Sequence, residues 1–485
     1  MSTTTTAGTR VSKRRGLGLS MATALVVGNM IGSGIFLLPS SLAGFGGITI
    51  VGWVLTATGA MLLALVFARL GRAYPQTGGP YAFSRHAFGD FIGFLTAWGY
   101  WIAAWVGNAA IAIAFVSYLG YFDAFDALRD NRVLAAAVAI GAVWLLTFVN
   151  VLGVRQGGVV QTVTTVLKFL PLVGLAVFGL FFIDLDNFGG FNTSGDSNVG
   201  ALAAIGALTL WAFIGVESAT VPAEDVEDPT RTIPRATLLG TALTAVVYIL
   251  GTVAVLGILP TATLAESGAP FADAADTAFG TWAGPIVAAA AAISAFGCLN
   301  GWILLQGQVP MAAARDDLFP KFFTRTTRSG APVVGLVVSS VFITGLTVMN
   351  YNASLVDQFT FVVLLATLTT LVPYVFSAAA HLMLLVTDRT QFNGRQFALH
   401  AVIGGLALVY SIWMVSGSGY EVVYKGFLLL LLGIPVYVVM KYTAARRYAR
   451  ALTVPPPAAS ESVPPAGFDH AVAQVIAADR REPTR

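Results

Sequence analysis

The sequence predicts an all-α integral membrane protein with twelve transmembrane helices. Of its 485 residues, 56% are hydrophobic and 11% are charged, and the mean hydropathy is +0.78. A soluble domain carries about 25% charged residues. Apolar runs long enough to cross a bilayer recur along the chain, and two of them are interrupted by glycines and polar side chains. The lipid bilayer is therefore the first expected partner.

Twelve apolar runs have the length of about 20 residues that a transmembrane helix needs. The first run follows four basic residues and resembles the core of a signal peptide, but it exceeds the about 7–15 residues of such a core and leads directly into a second run. We therefore expect it to be the first transmembrane helix. The runs lie near residues 17–41, 47–70, 91–119, 133–152, 159–183, 200–220, 236–259, 284–312, 332–349, 358–385, 398–416 and 421–440.

The basic residues fall unevenly on the two sides of these spans. If the N-terminus is cytoplasmic, most of the 27 lysines and arginines lie in segments that are also cytoplasmic. This asymmetry predicts that both termini are cytoplasmic, and it explains the basic clusters without a nucleic-acid partner. The tails, residues 1–16 and 452–485, hold too few large apolar residues to form a core, so we expect them to be disordered. The helical domain then occupies residues 17–442.

Two of the predicted spans are broken in the middle. Residues 28–34 (GNMIGSG) interrupt span 1, and residues 213–218 (FIGVES) interrupt span 6. In lipid, a helix is broken at depth only where the freed backbone groups face protein, ligand or water. Paired breaks in two halves of a chain are typical of the substrate site of a secondary transporter. Glu217 in the second break favours this interpretation, because an ionisable residue inside a membrane indicates function.

The two breaks also predict an internal repeat. Spans 1–5 and spans 6–10 each begin with a broken helix, at Gly32 and at Gly215. Because each half holds an odd number of spans, the halves have opposite topology. We therefore expect an inverted repeat of residues 17–183 and 200–385, with spans 11 and 12, residues 398–440, outside it. The substrate site would lie at the midplane, where the breaks meet.

The residue types of the first break suit an anionic group. Gly32 and Gly34 permit an unwound backbone, and the half-helix that follows presents free N–H groups and the positive end of its dipole. Asn29 and Ser33 add hydrogen-bonding side chains. We therefore expect this break to bind a carboxylate. Close packing of small residues is the alternative explanation, but packing does not require Glu217 in the second break.

Three motifs carry a resemblance to a known superfamily. Residues 28–34, residues 100–108 (YWIAAWVGN) and residues 211–219 (WAFIGVESA) resemble those of the amino acid, polyamine and organocation transporters. The resemblance is strongest to the arginine/agmatine antiporter group, with the putrescine/ornithine exchangers next, and it covers residues 17–442. It implies a LeuT-like fold of five plus five inverted helices and alternating access. Related exchangers are dimers, so the resemblance leaves a homodimer open.

The resemblance also implies which residues bind substrate. The unwound part of helix 1 would receive the substrate's carboxylate and amino group, helix 6 would line the pocket, a tryptophan of helix 8 would stack on the substrate, and helix 3 would touch its distal end. Tryptophans in membrane proteins are more often interfacial anchors, but this one lies inside an apolar run. In the order of these roles, the residues are Asn29, Met30, Ser33 and Gly34; Trp211 and Ile214; Trp302; and Asn108 and Ile111.

The resemblance further implies an inner gate formed by Tyr100, Glu217 and Tyr374, in which the Glu217 carboxylate responds to protons. Tyr374 follows a proline, so a helix kink with an incidental ring stays an alternative. The chain departs from the arginine-selective pattern at Ala104 and Ala366, where that pattern has a sulfur-bearing and a hydroxyl side chain. We therefore expect a less polar distal end of the pocket.

Lys168 lies inside span 5, where the arginine/agmatine and putrescine/ornithine exchangers have no lysine. In other branches of the superfamily, a lysine on helix 5 replaces the sodium ion that LeuT-type symporters bind. The resemblance thus implies that the Lys168 ammonium contacts the unwound carbonyls of helix 1. Snorkelling to the membrane surface is the alternative, but either end of the run is about ten residues away, or roughly 15 Å. Lys168 or Glu217 would carry a coupled proton.

We expect a transporter of amino acids or related amines in the cytoplasmic membrane, driven by protons or by a counter-substrate. A strict arginine/agmatine-type exchanger and a nutrient sensor that keeps the pocket without turnover are the alternatives. A channel is disfavoured because the spans carry no rings of charge. An enzyme, a metal site and a cofactor are disfavoured because no nucleotide-binding G-x-x-x-x-G-K-[ST] loop occurs and because metal-ligand spacing is lacking among His86, His381, His400 and His470.

Overall fold

The computed structural model describes residues 17–152, 154–350, 355–387 and 393–453. Within these ranges the chain forms helices joined by turns, and the only β-pairing there is an isolated bridge between Leu17 and Val226. In chain order, the α-helices are α1 (Leu19–Met30), α2 (Ser33–Leu42), α3 (Ile48–Ala73), α4 (Pro80–Phe88), α5 (Asp90–Leu119), α6 (Ala127–Asp130), α7 (Arg132–Leu152), α8 (Val154–Phe178), α9 (Asn198–Phe213), α10 (Pro229–Ile258), α11 (Thr261–Glu266), α12 (Pro270–Phe279), α13 (Ala283–Arg315), α14 (Val333–Asn350), α15 (Leu355–Thr387), α16 (Gly394–Ser416), α17 (Tyr420–Leu431) and α18 (Gly433–Thr453).

Nine helical stretches in the described part of the chain are long and apolar enough to cross a membrane. Three shorter apolar helices lie where the sequence predicts spans 5, 6 and 9: Leu167–Phe182, Asn198–Phe213 and Val333–Met349. The prediction of an all-helical, multi-pass membrane protein is confirmed, whereas the count of twelve and the inverted repeat stay predictions. The nine stretches are Leu19–Phe45, Ile48–Ala73, Asp90–Leu119, Arg132–Leu152, Pro229–Ile258, Ala283–Arg315, Leu355–Thr387, Gly394–Ser416 and Tyr420–Arg447.

Both breaks that the sequence predicts are present. Ile31 and Gly32 separate α1 from α2, and neither residue has helical backbone angles. α9 ends at Phe213, and the turn that follows contains Gly215 with a φ of 113°. A side chain is strained at such an angle, so the second break depends on its glycine.

The two breaks contact each other in the interior of the bundle. A Cβ added to Gly215 would lie 3.3 Å from the carbonyl carbon of Asn29 and 3.3 Å from the backbone nitrogen of Met30. α1 packs on α8, α10 and α13, while α5 packs on α13 and α15. Ile31 and Val216, one from each break, are fully buried. The breaks are therefore enclosed by protein, as broken helices in a membrane must be.

The end of the helical domain differs from the prediction in two respects. The last predicted span is interrupted, because α17 ends at Leu431 and α18 begins at Gly433. α18 then continues to Thr453, so residues 452–453 are helical where disorder was expected. The segment before them is rich in alanine and arginine, which are strong helix formers. The rest of the C-terminal tail and residues 1–16 lie outside the described residues.

A cluster of polar contacts ties together one end of the bundle, where α5 begins and α13 ends. Asp316 accepts a hydrogen bond from the Tyr81 hydroxyl at 2.6 Å and pairs with Arg85 at 2.7 Å. Asp90 pairs with Arg85 at 2.9 Å and with Lys441 at 2.5 Å. Burial and the adjacent Asp316 carboxylate raise the pKa of Tyr81, so its hydroxyl stays protonated and donates. The cluster joins α4, α5, α13 and α18.

Candidate substrate-binding site

A small cavity of about 10 Å³ lies where the two breaks meet. It has room for about one water molecule, so the pocket is collapsed in this conformation. Every residue that the sequence assigns to substrate binding lines the cavity except Asn108. Gly32 and Cys298 line it as well. The lining side chains are uncharged, and two of them are tryptophans.

Side chains and backbone groups of the two breaks are joined by hydrogen bonds. The Asn29 amide donates to the Ser218 hydroxyl at 3.0 Å, and the Trp211 indole donates to the Ser33 hydroxyl at 3.2 Å. Gly34 lies close to α9, because a Cβ at this position would approach a backbone atom of Ala212 to 2.9 Å. Gly34 thus permits the close approach of the two broken helices, in addition to loosening the helix.

The Asn29 and Met30 carbonyls of the first break accept hydrogen bonds from neighbouring helices. The Trp302 indole donates to the Asn29 carbonyl at 3.2 Å, and the Tyr248 hydroxyl donates to the Met30 carbonyl at 2.5 Å. The Cys298 thiol also approaches the Asn29 carbonyl, at 3.4 Å. Trp302 therefore lies in the pocket wall with its N–H bound to the break, rather than at the membrane surface.

Lys168 is fully buried and reaches the same break. Its ammonium donates to the carbonyls of Gly28 at 2.9 Å and Ile31 at 2.5 Å. Ser294 donates to the Ile31 carbonyl as well, at 3.1 Å. The ammonium thus lies against the end of α1 and does not extend to the membrane surface. This is the contact that the resemblance implies.

Tyr100, Glu217 and Tyr374 come together from three separate segments. The Tyr100 hydroxyl donates to Glu217 Oε1 at 2.6 Å, and the Tyr374 hydroxyl donates to Oε2 at 2.6 Å. The backbone N–H of Gly215 donates to Oε2 at 3.2 Å. All three side chains are buried. Hydrogen bonds from phenols to a carboxylate are short and strong, so the arrangement holds α5, α15 and the second break together.

A second closure lies on the opposite side of the pocket, and the sequence analysis missed it. The Tyr118 hydroxyl of α5 donates to the Phe36 carbonyl of α2 at 2.7 Å, and the Phe36 ring packs on Phe271 of α12 at 5.5 Å. Ser40 of α2 donates to the Ser267 carbonyl at 2.8 Å. The only available signal was position: Phe36 lies in the half-helix that follows the first break, and Tyr118 lies at the end of α5 far from Tyr100. The pocket is thus closed on both sides.

Asn108 is buried near the pocket but does not line it. Its amide nitrogen donates to Gln306 Oε1 at 2.7 Å. Gln306 was also missed, although an amide inside an apolar run, one helical turn after Trp302, was a visible signal. Ala104 and Ala366 are buried but do not line the cavity, so the less polar distal end of the pocket stays a prediction.

A second cavity, of about 670 Å³, lies elsewhere. Val116 of α5 and Gly120, directly after its end, contribute to it, and Val116 faces away from Ile111 on the same helix. Its charged lining includes Arg132 and Asp273. Volume alone does not make it the substrate site, since the breaks and the gate residues converge on the small cavity.

Comparison with known proteins agrees with this geometry. A family model described as "Amino acid permease" matches residues 17–440. The chain is 41% identical over 373 residues to a "Cadaverine/lysine antiporter" of Escherichia coli strain K12, covering 76% of this chain and 83% of that protein. It is 33% identical over 430 residues to "Putrescine transporter PotE" of the same strain, covering 88% and 96%, and 33% identical over 434 residues to the Haemophilus influenzae protein of that name, covering 89% and 98%.

The paired breaks and these matches define a secondary transporter of amino acids or related amines in a membrane. The chain belongs to the amino acid permease family, within the amino acid, polyamine and organocation superfamily. Its relatives are transporters rather than enzymes. The sequence-based prediction of family and of transport function is confirmed.

Proposed function

We propose that the chain is an antiporter of the cytoplasmic membrane that exchanges a diamine, such as cadaverine, for a cationic amino acid, such as lysine. The observation that carries the proposal is the contact of two broken helices at a buried pocket with two tryptophans in its wall. The relatives named for cadaverine, lysine and putrescine support the substrate class.

The chemistry of the pocket suits such substrates. The N-terminal end of α2, with the Ser33 hydroxyl, offers hydrogen-bond donors to a carboxylate. The rings of Trp211 and Trp302 offer their faces to an ammonium group, at about 2 kcal/mol when desolvated. Asn108, at the distal end, offers an amide oxygen. A cationic amino acid would use all three features, and a diamine would use the last two.

The two closures supply the gates of an alternating-access cycle. Opening the inner gate requires the bonds from Tyr100 and Tyr374 to Glu217 to break, and opening the outer gate requires Tyr118 to leave the Phe36 carbonyl. In the proposed LeuT-like fold, twelve helices form inverted repeats of residues 17–183 and 200–385, and both termini are cytoplasmic. The polar cluster around Asp316 then lies on the cytoplasmic side.

The proposed driving force is the counter-substrate, with protons acting at Glu217. Protonation would remove the charge of the carboxylate and weaken its bonds to the two phenols, which favours opening of the inner gate at low pH. Sodium is not part of the proposed cycle, because the Lys168 ammonium supplies a positive charge at the carbonyls of the first break.

Counterflow in proteoliposomes tests the proposal. Vesicles that contain the full chain are loaded with unlabelled lysine, and uptake of labelled cadaverine is compared with uptake into vesicles without internal lysine. We expect internal lysine to accelerate uptake at least about tenfold, as exchange requires. Equal uptake with and without internal lysine would contradict antiport, and specific binding of cadaverine without any uptake would favour the sensor.

A further inference from the structure

A chain of buried hydrogen bonds runs through the bundle and ends at Asn108. It begins on α7, where the Thr147 hydroxyl bonds to the Ser340 hydroxyl of α14 at 2.7 Å. The Gln306 side-chain nitrogen of α13 donates to that hydroxyl at 3.3 Å and to the Leu336 carbonyl at 3.4 Å. The Asn108 amide nitrogen of α5 then donates to Gln306 Oε1 at 2.7 Å. The four side chains are buried.

The donors and acceptors in this row of hydrogen bonds fix the direction of the Asn108 amide. A backbone carbonyl can only accept hydrogen bonds, so the Leu336 carbonyl requires the amino group of the Gln306 side chain. The side-chain oxygen of Gln306 must then face Asn108, and the Asn108 side chain must donate a hydrogen bond to it from its amino group. Asn108 Oδ1 is consequently the free end, and it has no partner among the described residues. An unpaired carbonyl oxygen in a low-dielectric interior strongly favours a hydrogen-bond donor.

The free oxygen lies next to the substrate pocket. Asn108 is one helical turn from Ile111 on α5, and Gln306 is one turn from Trp302 on α13. Residues at these spacings share a helix face. Ile111 and Trp302 both line the pocket. The Asn108–Gln306 pair therefore borders the pocket wall that these two residues form.

We propose that Gln306 is a positioning residue that sets substrate specificity, by holding the Asn108 amide so that its oxygen accepts a hydrogen bond from the substrate's terminal ammonium. A reversed amide would present N–H groups to that cation and repel it. The pocket is thereby selective for diamines and lysine-like amino acids over analogues that lack the second ammonium. The inference rests on the proposed function, because it assumes an amine substrate in this pocket.

The test compares two competitors that differ in one group. Lysine and norleucine have the same carbon chain, but norleucine lacks the terminal ammonium. Inhibition constants of both are measured against labelled cadaverine uptake for the wild type and for Gln306→Met, which keeps the length of the side chain and removes its hydrogen bonds. We expect lysine to inhibit the variant at least about tenfold more weakly, as for the loss of a hydrogen bond to a charged group, and norleucine to change by less than about twofold.

A purely structural role gives a different result. If Gln306 only packs α13 against α5, both competitors weaken equally, which would overturn the inference. Asn150→Leu is the matched control, since it removes another buried amide, paired with Asn300 at 2.9 Å between α7 and α13. We expect that control to leave the ratio of the two constants unchanged. Gln306→Leu serves as the second variant if Gln306→Met is not recovered in folded form.

A double variant isolates the orientation itself. Both oxygens of an aspartate accept hydrogen bonds, so Asn108→Asp has no amide direction for Gln306 to set. Adding Gln306→Met to Asn108→Asp should therefore leave the ratio of the lysine and norleucine constants within about twofold. A tenfold change in that background would overturn the inference. Absence of amine exchange in the wild type would instead contradict the proposed function.

Discussion

The ammonium nitrogen of Lys168 lies 2.5 Å from the carbonyl oxygen of Ile31, the residue at which α1 unwinds. It also donates to the Gly28 carbonyl in the last turn of that helix. The negative end of a helix dipole lies at this position. A side chain thus supplies the positive charge that balances the end of the broken helix.

Replacing Lys168 by methionine should weaken substrate binding. The variant keeps much of the bulk but removes a donor from two buried carbonyls, at about 1–3 kcal/mol for each group left unpaired. We expect at least about tenfold weaker binding of labelled cadaverine to the purified protein, with Lys425→Met, at an exposed lysine, as the control. Wild-type uptake should be equal in sodium and choline buffers. Normal transport by Lys168→Met across the pH range would contradict this prediction and would mean that Lys168 only packs.

Trp302→Ala should remove most of the affinity for amines while the protein still inserts into the membrane. The loss of a desolvated cation–π contact of about 2 kcal/mol corresponds to roughly thirtyfold weaker binding. Trp282→Ala is the matched control, because Trp282 directly precedes α13 and its side chain is 67% exposed. Binding of labelled cadaverine to both variants distinguishes the two positions. Wild-type affinity in Trp302→Ala would mean that the ring only packs.

Glu217→Gln should flatten the dependence of uptake on pH. The glutamine cannot change its charge, and one of the two phenols must face an amino group instead of an oxygen. We therefore expect uptake between about pH 5 and pH 8 to vary less than in the wild type, with a smaller effect on the concentration at half-maximal uptake. Glu224→Gln, at an exposed position just beyond the break, is the control. An unchanged profile in a well-expressed Glu217→Gln protein would assign the carboxylate a purely structural role.

Asp316→Asn should loosen the polar cluster that joins α4 to α13. The variant loses the ion pair with Arg85 and weakens the bond from Tyr81. Partly exposed pairs contribute at most about 1 kcal/mol each, so in a chain of this length we expect the thermal midpoint to fall by about 1–2 °C. High salt should lower the midpoint of the wild type more than that of the variant. Asp130→Asn, at an exposed position on α6, is the control and should leave the thermal midpoint unchanged. An unchanged midpoint in Asp316→Asn would mean that the polar cluster adds no stability.

The breaks were predictable because glycine and acidic residues are costly in the middle of an apolar span. The pattern at residues 28–34 and 213–218 therefore predicts the unwound segments. The candidate pocket residues came from the resemblance to the superfamily, and their roles in substrate binding stay predictions. The interruption at Leu432 had a signal in the sequence that the prediction of an unbroken span overlooked, because Gly433 and Pro435 follow it and both are poor helix formers.

The closure between Tyr118 and Phe36 and the contact between Asn108 and Gln306 were not predictable for a different reason. Both depend on which helix faces which, and that information is absent from the periodicity of a helix buried on all sides. Tyr118 and Phe36 are unremarkable aromatic and apolar residues in their own spans. Only their meeting across α5 and α2 gives them a role.

Cys298 gives the chain a built-in reporter of its own motions. It is the single cysteine of all 485 residues, it is 2% exposed, and it lines the pocket between the closures at Glu217 and at Phe36. In the proposed cycle, a thiol reagent that cannot cross lipid reaches Cys298 only through an open gate, so the rate of alkylation would measure opening toward the side on which the reagent is added. The unmodified protein can thus be followed through its cycle, with no engineered label and no cysteine-free background.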